Sequence, residues 1–169
     1  DKTGLLKYTN SVQHTLRKYV CVSRPRRFGK SVAVNMLAAY YSQGCDSEKM
    51  FTGLEISEDK NFKTHLNQYN TLVLNMQEFL SRTGDVKTLL LRMQKMLMRE
   101  LKNEYPDVDY FDENDLIESM QDIFSQKQVS FVIILDEWDC IFREYREDKE
   151  AQELYLDFLR DFLKDKAYV

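Results

Sequence analysis

Residues 24–31, Arg-Pro-Arg-Arg-Phe-Gly-Lys-Ser, set a glycine, a lysine and a hydroxyl side by side. Before them residues 19–22 read as a short apolar strand, and after them residues 32–41 read as a buried helix. Strand, Gly-Lys-Ser and helix together make a phosphate-binding arrangement. Backbone N–H groups and a helix N-terminus face the anion, and one lysine adds a positive charge. Against the full pattern G-x-x-x-x-G-K-[ST], Arg24 occupies the first glycine position.

A second group follows an apolar run at 129–135: Asp136, Glu137, Trp138 and Asp139. In open parallel sheets ligands sit at the carboxyl ends of strands, so the loop and these acids are expected on one edge. An Asp there can organise Mg²⁺, which takes oxygen ligands and keeps several waters. The Glu after it can polarise an attacking water. Asp139 reads equally as a further acid near the metal or as a helix cap. Trp138 reads as packing, and His14 and His65, without partners at metal spacing, read as structural or surface residues.

The elements that must position these residues follow from periodicity. Residues 4–17 read as mostly helix, with Thr9-Asn10-Ser11 able to restart it. The first strand is 18–23, and the helix after the loop runs from 30 to about 42, apolar on all sides as if packed on a sheet. Residues 62–69 read as a short helix and 71–76 as the second strand. Asp85 caps a long helix whose stripe is Val86, Leu89, Leu90, Met93, Met96, Leu97 and Leu101. Its methionines read as core packing. Residues 112–124 form another amphipathic helix. The run at 129–135, apolar on both faces, reads as a central parallel strand. A last helix spans about 149–164, and residues 167–169 look like a strand beginning. Strands separated by helices predict βαβ units and a parallel sheet covered on both faces.

The chain has 169 residues, enough for one domain with a proper core. It lacks an apolar run long enough for a membrane span, so no membrane partner is expected. Beginning at Asp1 without a visible signal peptide, it reads as a piece of a longer protein. Its three cysteines, odd in number and far apart, read as reduced cytosolic thiols, which predicts a cytoplasmic location. Residues 2–45 hold eight Lys or Arg and no acid, whereas residues 46–169 hold 16 basic and 27 acidic residues. A basic segment around the loop suits a polyanion, while overall acidity argues against a general nucleic-acid binder.

Four segments together resemble the bacterial AAA-ATPase-like family: Asp1-Lys2-Thr3-Gly4, Ser23 to Ser31, Phe51-x-Gly-Leu54 and Ile134-Leu-Asp-Glu-Trp-Asp139. In that family Arg-Pro-Arg-Arg-Phe-Gly-Lys-Ser is the characteristic Walker A loop, so Arg24 becomes a family feature. The family usually has Tyr where this chain has Trp138. The resemblance covers essentially the whole chain, as a single nucleotide-binding domain over residues 1–169. It implies a three-layer α/β/α P-loop NTPase with a parallel sheet, truncated before its last central strands. It also implies ATP and Mg²⁺ as ligands, and ATP hydrolysis that drives or switches an attached or partner effector. The nucleotide loop would be Arg24, Pro25, Arg26, Arg27, Phe28, Gly29, Lys30 and Ser31, with backbone N–H groups of Arg27, Phe28 and Gly29 on phosphate. Lys30 would contact the β- and γ-phosphates, Ser31 would bind Mg²⁺, Asp136 would order the metal from its outer shell, and Glu137 would be the catalytic base. Asp1-Lys2-Thr3 is placed near the adenine. Fuller members often carry a C-terminal restriction-nuclease-like domain, so nucleic acid is left to that missing region.

Two rivals stand beside this reading. One is a non-hydrolysing, nucleotide-dependent regulatory module. The other makes Asp136, Glu137 and Asp139 a nuclease-type metal cluster, which leaves the Gly-Lys-Ser loop unexplained.

Overall fold

A computed structural model describes residues 2–22, 29–164 and 166–169. Chain contacts divide it into two compact units, Asp1–Val73 with Phe131–Ile134, and Leu74–Ser130 with Leu135–Val169. In chain order the helices are α1 (Gly4–Val12), α2 (Lys30–Tyr41), α3 (Glu48–Phe51), α4 (Phe62–His65), α5 (Met76–Thr83), α6 (Val86–Glu104), α7 (Leu116–Lys127), α8 (Cys140–Glu144) and α9 (Lys149–Leu163). A 3₁₀ turn covers Glu55–Glu58, and two strands, β1 (Asn70–Asn75) and β2 (Phe131–Asp136), pair in a parallel two-stranded sheet. The mixed α/β class expected from the sequence is therefore present.

The first unit is built on a tyrosine pair at the end of α2. Tyr40 and Tyr41 are buried with Leu6, Phe51, Ile56, Phe62, Leu66 and Tyr69, and Val132 of β2 packs against this cluster. Burying two phenols requires that each hydroxyl find a partner. Asn10 serves both: its Nδ2 donates to Tyr40 Oη at 2.8 Å, and its Oδ1 accepts from Tyr41 Oη at 2.8 Å. Tyr40 Oη in turn donates to the Phe62 carbonyl. Burial pushes both phenols above their ordinary pKa, so they stay protonated donors. Asn67 adopts φ 55°, and its amide Nδ2 donates to the Ala39 and Ser42 carbonyls at 3.0 and 2.9 Å.

The second unit is helical. Met76, Leu89, Met93, Leu116, Met120, Ile123, Ile141, Tyr155 and Phe162 are buried in it, and α6 packs with α5, α7 and α9. Asp85, Asp115 and Asp148 each accept a backbone N–H at the start of α6, α7 and α9.

Several expectations are corrected. Residues 18–22 lie in no strand, and position 23 is outside the described residues. Residues 167–169 form a turn, in which buried Tyr168 donates to the Phe162 carbonyl at 2.6 Å. Without strands in those two places, β2 pairs with β1 alone among the described residues and is only partly buried, not central. A strand exists only where a neighbour completes its ladder, which apolar character cannot guarantee. Helix α2 is buried only at its last two residues, and Val32 is 58% exposed. Helix α1 ends at Val12, with Thr9 and Asn10 inside it rather than restarting it. Helix α4 is a single turn, because Asn67 goes left-handed just beyond it. Helix α7 starts at Leu116 rather than near Asp112, since Asp115 takes the cap and accepts from Glu118 N–H at 3.0 Å. On α6, Met98 is buried and Met96 is 38% exposed, the reverse of the expected stripe. Helix α5 is an addition to the sequence reading. Asn75 caps it by accepting from Glu78 N–H, an Asn-x-x-Glu signal visible in the sequence.

Candidate functional site

In the first unit the candidate segment is the start of α2. Gly29 has φ 79° and ψ 30°, a left-handed conformation, and stands at the N-cap with no side-chain cap. A glycine tolerates this backbone without a Cβ penalty, so the chain can turn abruptly into the helix. Its carbonyl accepts from Ala33 N–H at 3.1 Å, and Lys30 and Ser31 are the first helical residues. Lys30 is half-buried and Ser31 exposed. The first N–H groups of a helix lack intrahelical acceptors and carry its positive dipole end, which together favour an anion. Space also restricts position 29: a Cβ there would collide with the Lys2 ammonium. Arg24, Pro25, Arg26, Arg27 and Phe28, the remainder of the expected loop, lie outside the described residues.

In the second unit the segment follows β2. Asp136 ends the strand, and its Oδ1 accepts the Glu137 N–H at 3.0 Å. Glu137 takes φ 52°, a left-handed conformation that costs a non-glycine residue on the order of 1 kcal/mol. This turns the chain directly into α8, where Cys140 N–H reaches the Glu137 carbonyl at 3.0 Å. The Trp138 carbonyl accepts from buried Tyr155 Oη at 3.0 Å, and the indole meets Phe142 edge-on at 6.0 Å. The indole therefore packs on Phe142 while the residue stays 40% exposed.

Arg143 organises the acids. One guanidinium nitrogen donates to Glu137 Oε2 at 2.8 Å and the other to Asp139 Oδ1 at 2.8 Å. A third contact runs to Gln77 Oε1 at 3.3 Å. The hydrogen bond to Glu137 raises the Arg143 pKa above its ordinary value, so the charge is permanent. These groups are roughly a third exposed, where an ion pair contributes little stability, about 0–1 kcal/mol. The contribution is orientation: a planar fork fixes two carboxylates at once. Sequence reasoning assigns Arg143 no role. Its spacing of four from Asp139, one helical turn, is the signal that could have revealed the contact.

Each segment by itself offers an oxygen donor of the kind Mg²⁺ takes, the Ser31 hydroxyl in the first unit and the Asp136 carboxylate in the second. Asp136, Glu137 and Asp139 do not converge on one point, because Glu137 and Asp139 both turn to Arg143. Among the described residues no group of three His, Cys, Asp or Glu side chains could hold a metal. His14 and His65 share a single hydroxyl, Tyr69 Oη, at 3.3 and 2.6 Å, as structural residues. Cys21, Cys45 and Cys140 are free thiols, and burial pushes Cys140 up to about 11. No described helix is long and apolar enough to cross a membrane.

A family model described as predicted AAA-ATPase matches residues 1–167. The chain belongs to that family. No curated protein and no solved structure matches it. As an AAA-ATPase-like domain, the chain has its Gly-Lys-Ser segment in the first unit and its Asp-Glu segment in the second. The Phe51-x-Gly-Leu54 segment leads into the 3₁₀ turn, whose Ile56 N–H donates to buried Thr3 Oγ1 at 3.2 Å.

Proposed function

We propose that this AAA-ATPase-like domain binds ATP with Mg²⁺ and hydrolyses it, within a P-loop NTPase architecture, to drive or switch an attached or partner effector. The observation that carries the reading is Gly29. A left-handed glycine opens directly into α2, with Lys30 and Ser31 as its first residues. Lys30 binds the β- and γ-phosphates, joined by the backbone N–H groups of Arg27, Phe28 and Gly29. The Ser31 hydroxyl would bind Mg²⁺, and the Asp136 carboxylate would order the metal from its outer shell. Glu137 takes a proton from the attacking water, and Arg143 keeps one oxygen of that carboxylate fixed, so that the base is already oriented. When bound, ATP would supply the phosphoryl group and Mg²⁺ would offset the charge that spreads over its oxygens.

Two substitutions test the reading. Lys30→Ala is expected to abolish Mg–ATP binding, read by calorimetry. Glu137→Gln, which keeps the side-chain shape, is expected to retain binding and to stop phosphate release. Retained nucleotide affinity in the lysine variant overturns the site, and continued turnover in the glutamine variant overturns the role of Glu137.

A further inference from the structure

The segment Asp1-Lys2-Thr3 has a resemblance but no chemistry assigned by the fold so far. Thr3 is only 3% exposed. Its hydroxyl accepts Ile56 N–H at 3.2 Å, and its carbonyl accepts Leu6 N–H at 2.9 Å and Lys7 N–H at 3.3 Å. The Lys2 carbonyl accepts Leu5 N–H at 3.2 Å. The backbone around Lys2 is therefore held both by α1 and by the 3₁₀ turn, and the ammonium it presents lies against Gly29. Glu55, the acid beside Gly4, is paired with Lys7 at 3.5 Å. The charge of Lys2 thus lies against the residue that caps the positive end of α2, one position before Lys30. Like charges held at a helix N-terminus repel until an anion joins them.

We propose that Lys2 is a second phosphate-binding lysine of the Gly29-Lys30-Ser31 site, positioned by Thr3, and that it contacts the polyphosphate rather than the base. This rests on the proposed nucleotide site and adds to it a residue outside the loop motif. It also explains why Thr3 is buried against Ile56: the anchor fixes where the Lys2 stem begins, so less side-chain freedom is lost on binding.

The test measures binding of Mg–ATP and of inorganic tripolyphosphate to the wild-type protein and to Lys2→Met, Lys2→Arg and Lys30→Ala. Lys2→Met keeps the stem and removes the charge. It is expected to weaken both ligands by roughly tenfold to a hundredfold, the range of one charge-assisted hydrogen bond. Lys2→Arg is expected to recover most of that loss, and all three variants should melt near the wild type without ligand. Wild-type affinity for both ligands in Lys2→Met, with binding lost in Lys30→Ala, overturns the role of Lys2 and leaves the nucleotide site standing. Loss of ATP with tripolyphosphate unchanged overturns it in favour of a base contact. Should Lys2→Met melt early, equal weakness in Lys2→Arg at the same melting temperature as wild type overturns it as well. A wild-type protein that binds neither ligand removes the underlying site and this proposal together.

Discussion

Glu137 shows how much one residue's setting restricts what it can do. Its left-handed backbone turns β2 into α8, and its side chain meets the guanidinium of Arg143. Removing Arg143 should therefore misorient the carboxylate without touching nucleotide affinity. Arg143→Gln is expected to lower kcat by about tenfold to a hundredfold with KM for ATP unchanged, and Arg143→Lys to recover part of it. A rise in KM at constant kcat would assign Arg143 to binding instead. Another residue-scale consequence lies at Tyr69, whose hydroxyl meets both imidazoles. Burial, and then the nearby His14, hold the His65 pKa below its ordinary 6.5. The unfolded chain thus takes up a proton first as pH falls. Stability is complete above about 6.5 and is lost as pH drops toward the folded value. Melting temperature should fall between pH 7.5 and 5.5, and His65→Gln should flatten that fall. An unchanged slope in the variant would remove His65 from the cause.

Caps decide where the helices begin. Around α7 the chain offers Asp112 and Asp115, and only Asp115 puts a Glu three residues on, at Glu118. Asp115→Ala is expected to cost about 1 kcal/mol, read from urea unfolding with the slope unchanged. Asp112→Ala, which removes an acceptor for Asn114 N–H outside the helix, should cost less. Equal costs would mean that the cap is not what starts α7. The same logic made α6 legible, since Asp85 and the repeat of apolar residues lie within one stretch of chain. It did not reveal which flank of the α6 stripe would be covered. Met96 and Met98 border the same apolar face from opposite sides, and of the two Met98 is the one buried.

At the scale of the whole molecule, a ligand that binds only the native chain stabilises it by mass action. Saturating Mg–ATP at about a hundred times Kd should add roughly 2.7 kcal/mol of stability to the wild type and none to Lys30→Ala, read as melting temperature against nucleotide concentration. A shift retained in the variant would point to nucleotide held somewhere other than the loop. The charge pattern bears on the same measurement. All eight cations of residues 2–45 stand without an intervening acid, so the shift should shrink as salt is raised.

By itself the sequence determined what depends on near neighbours along the chain. Helix periodicity and the Asp85 cap are set by hydrogen bonds and side-chain spacing within a few residues, and the order of Gly-Lys-Ser before Asp-Glu is read directly along the chain. Tertiary structure decided what needs a distant partner. Residues 18–22 have strand composition but no strand, because a ladder must be completed by another segment. Glu137 met Arg143, and Lys2 met Gly29, through turns whose directions no periodicity encodes. The buried Asn10 was read as part of a helix-restart signal. Its place between two phenols follows only once α1 packs on the end of α2, since an unpartnered hydroxyl in that core would cost more than the helix cap it could have made.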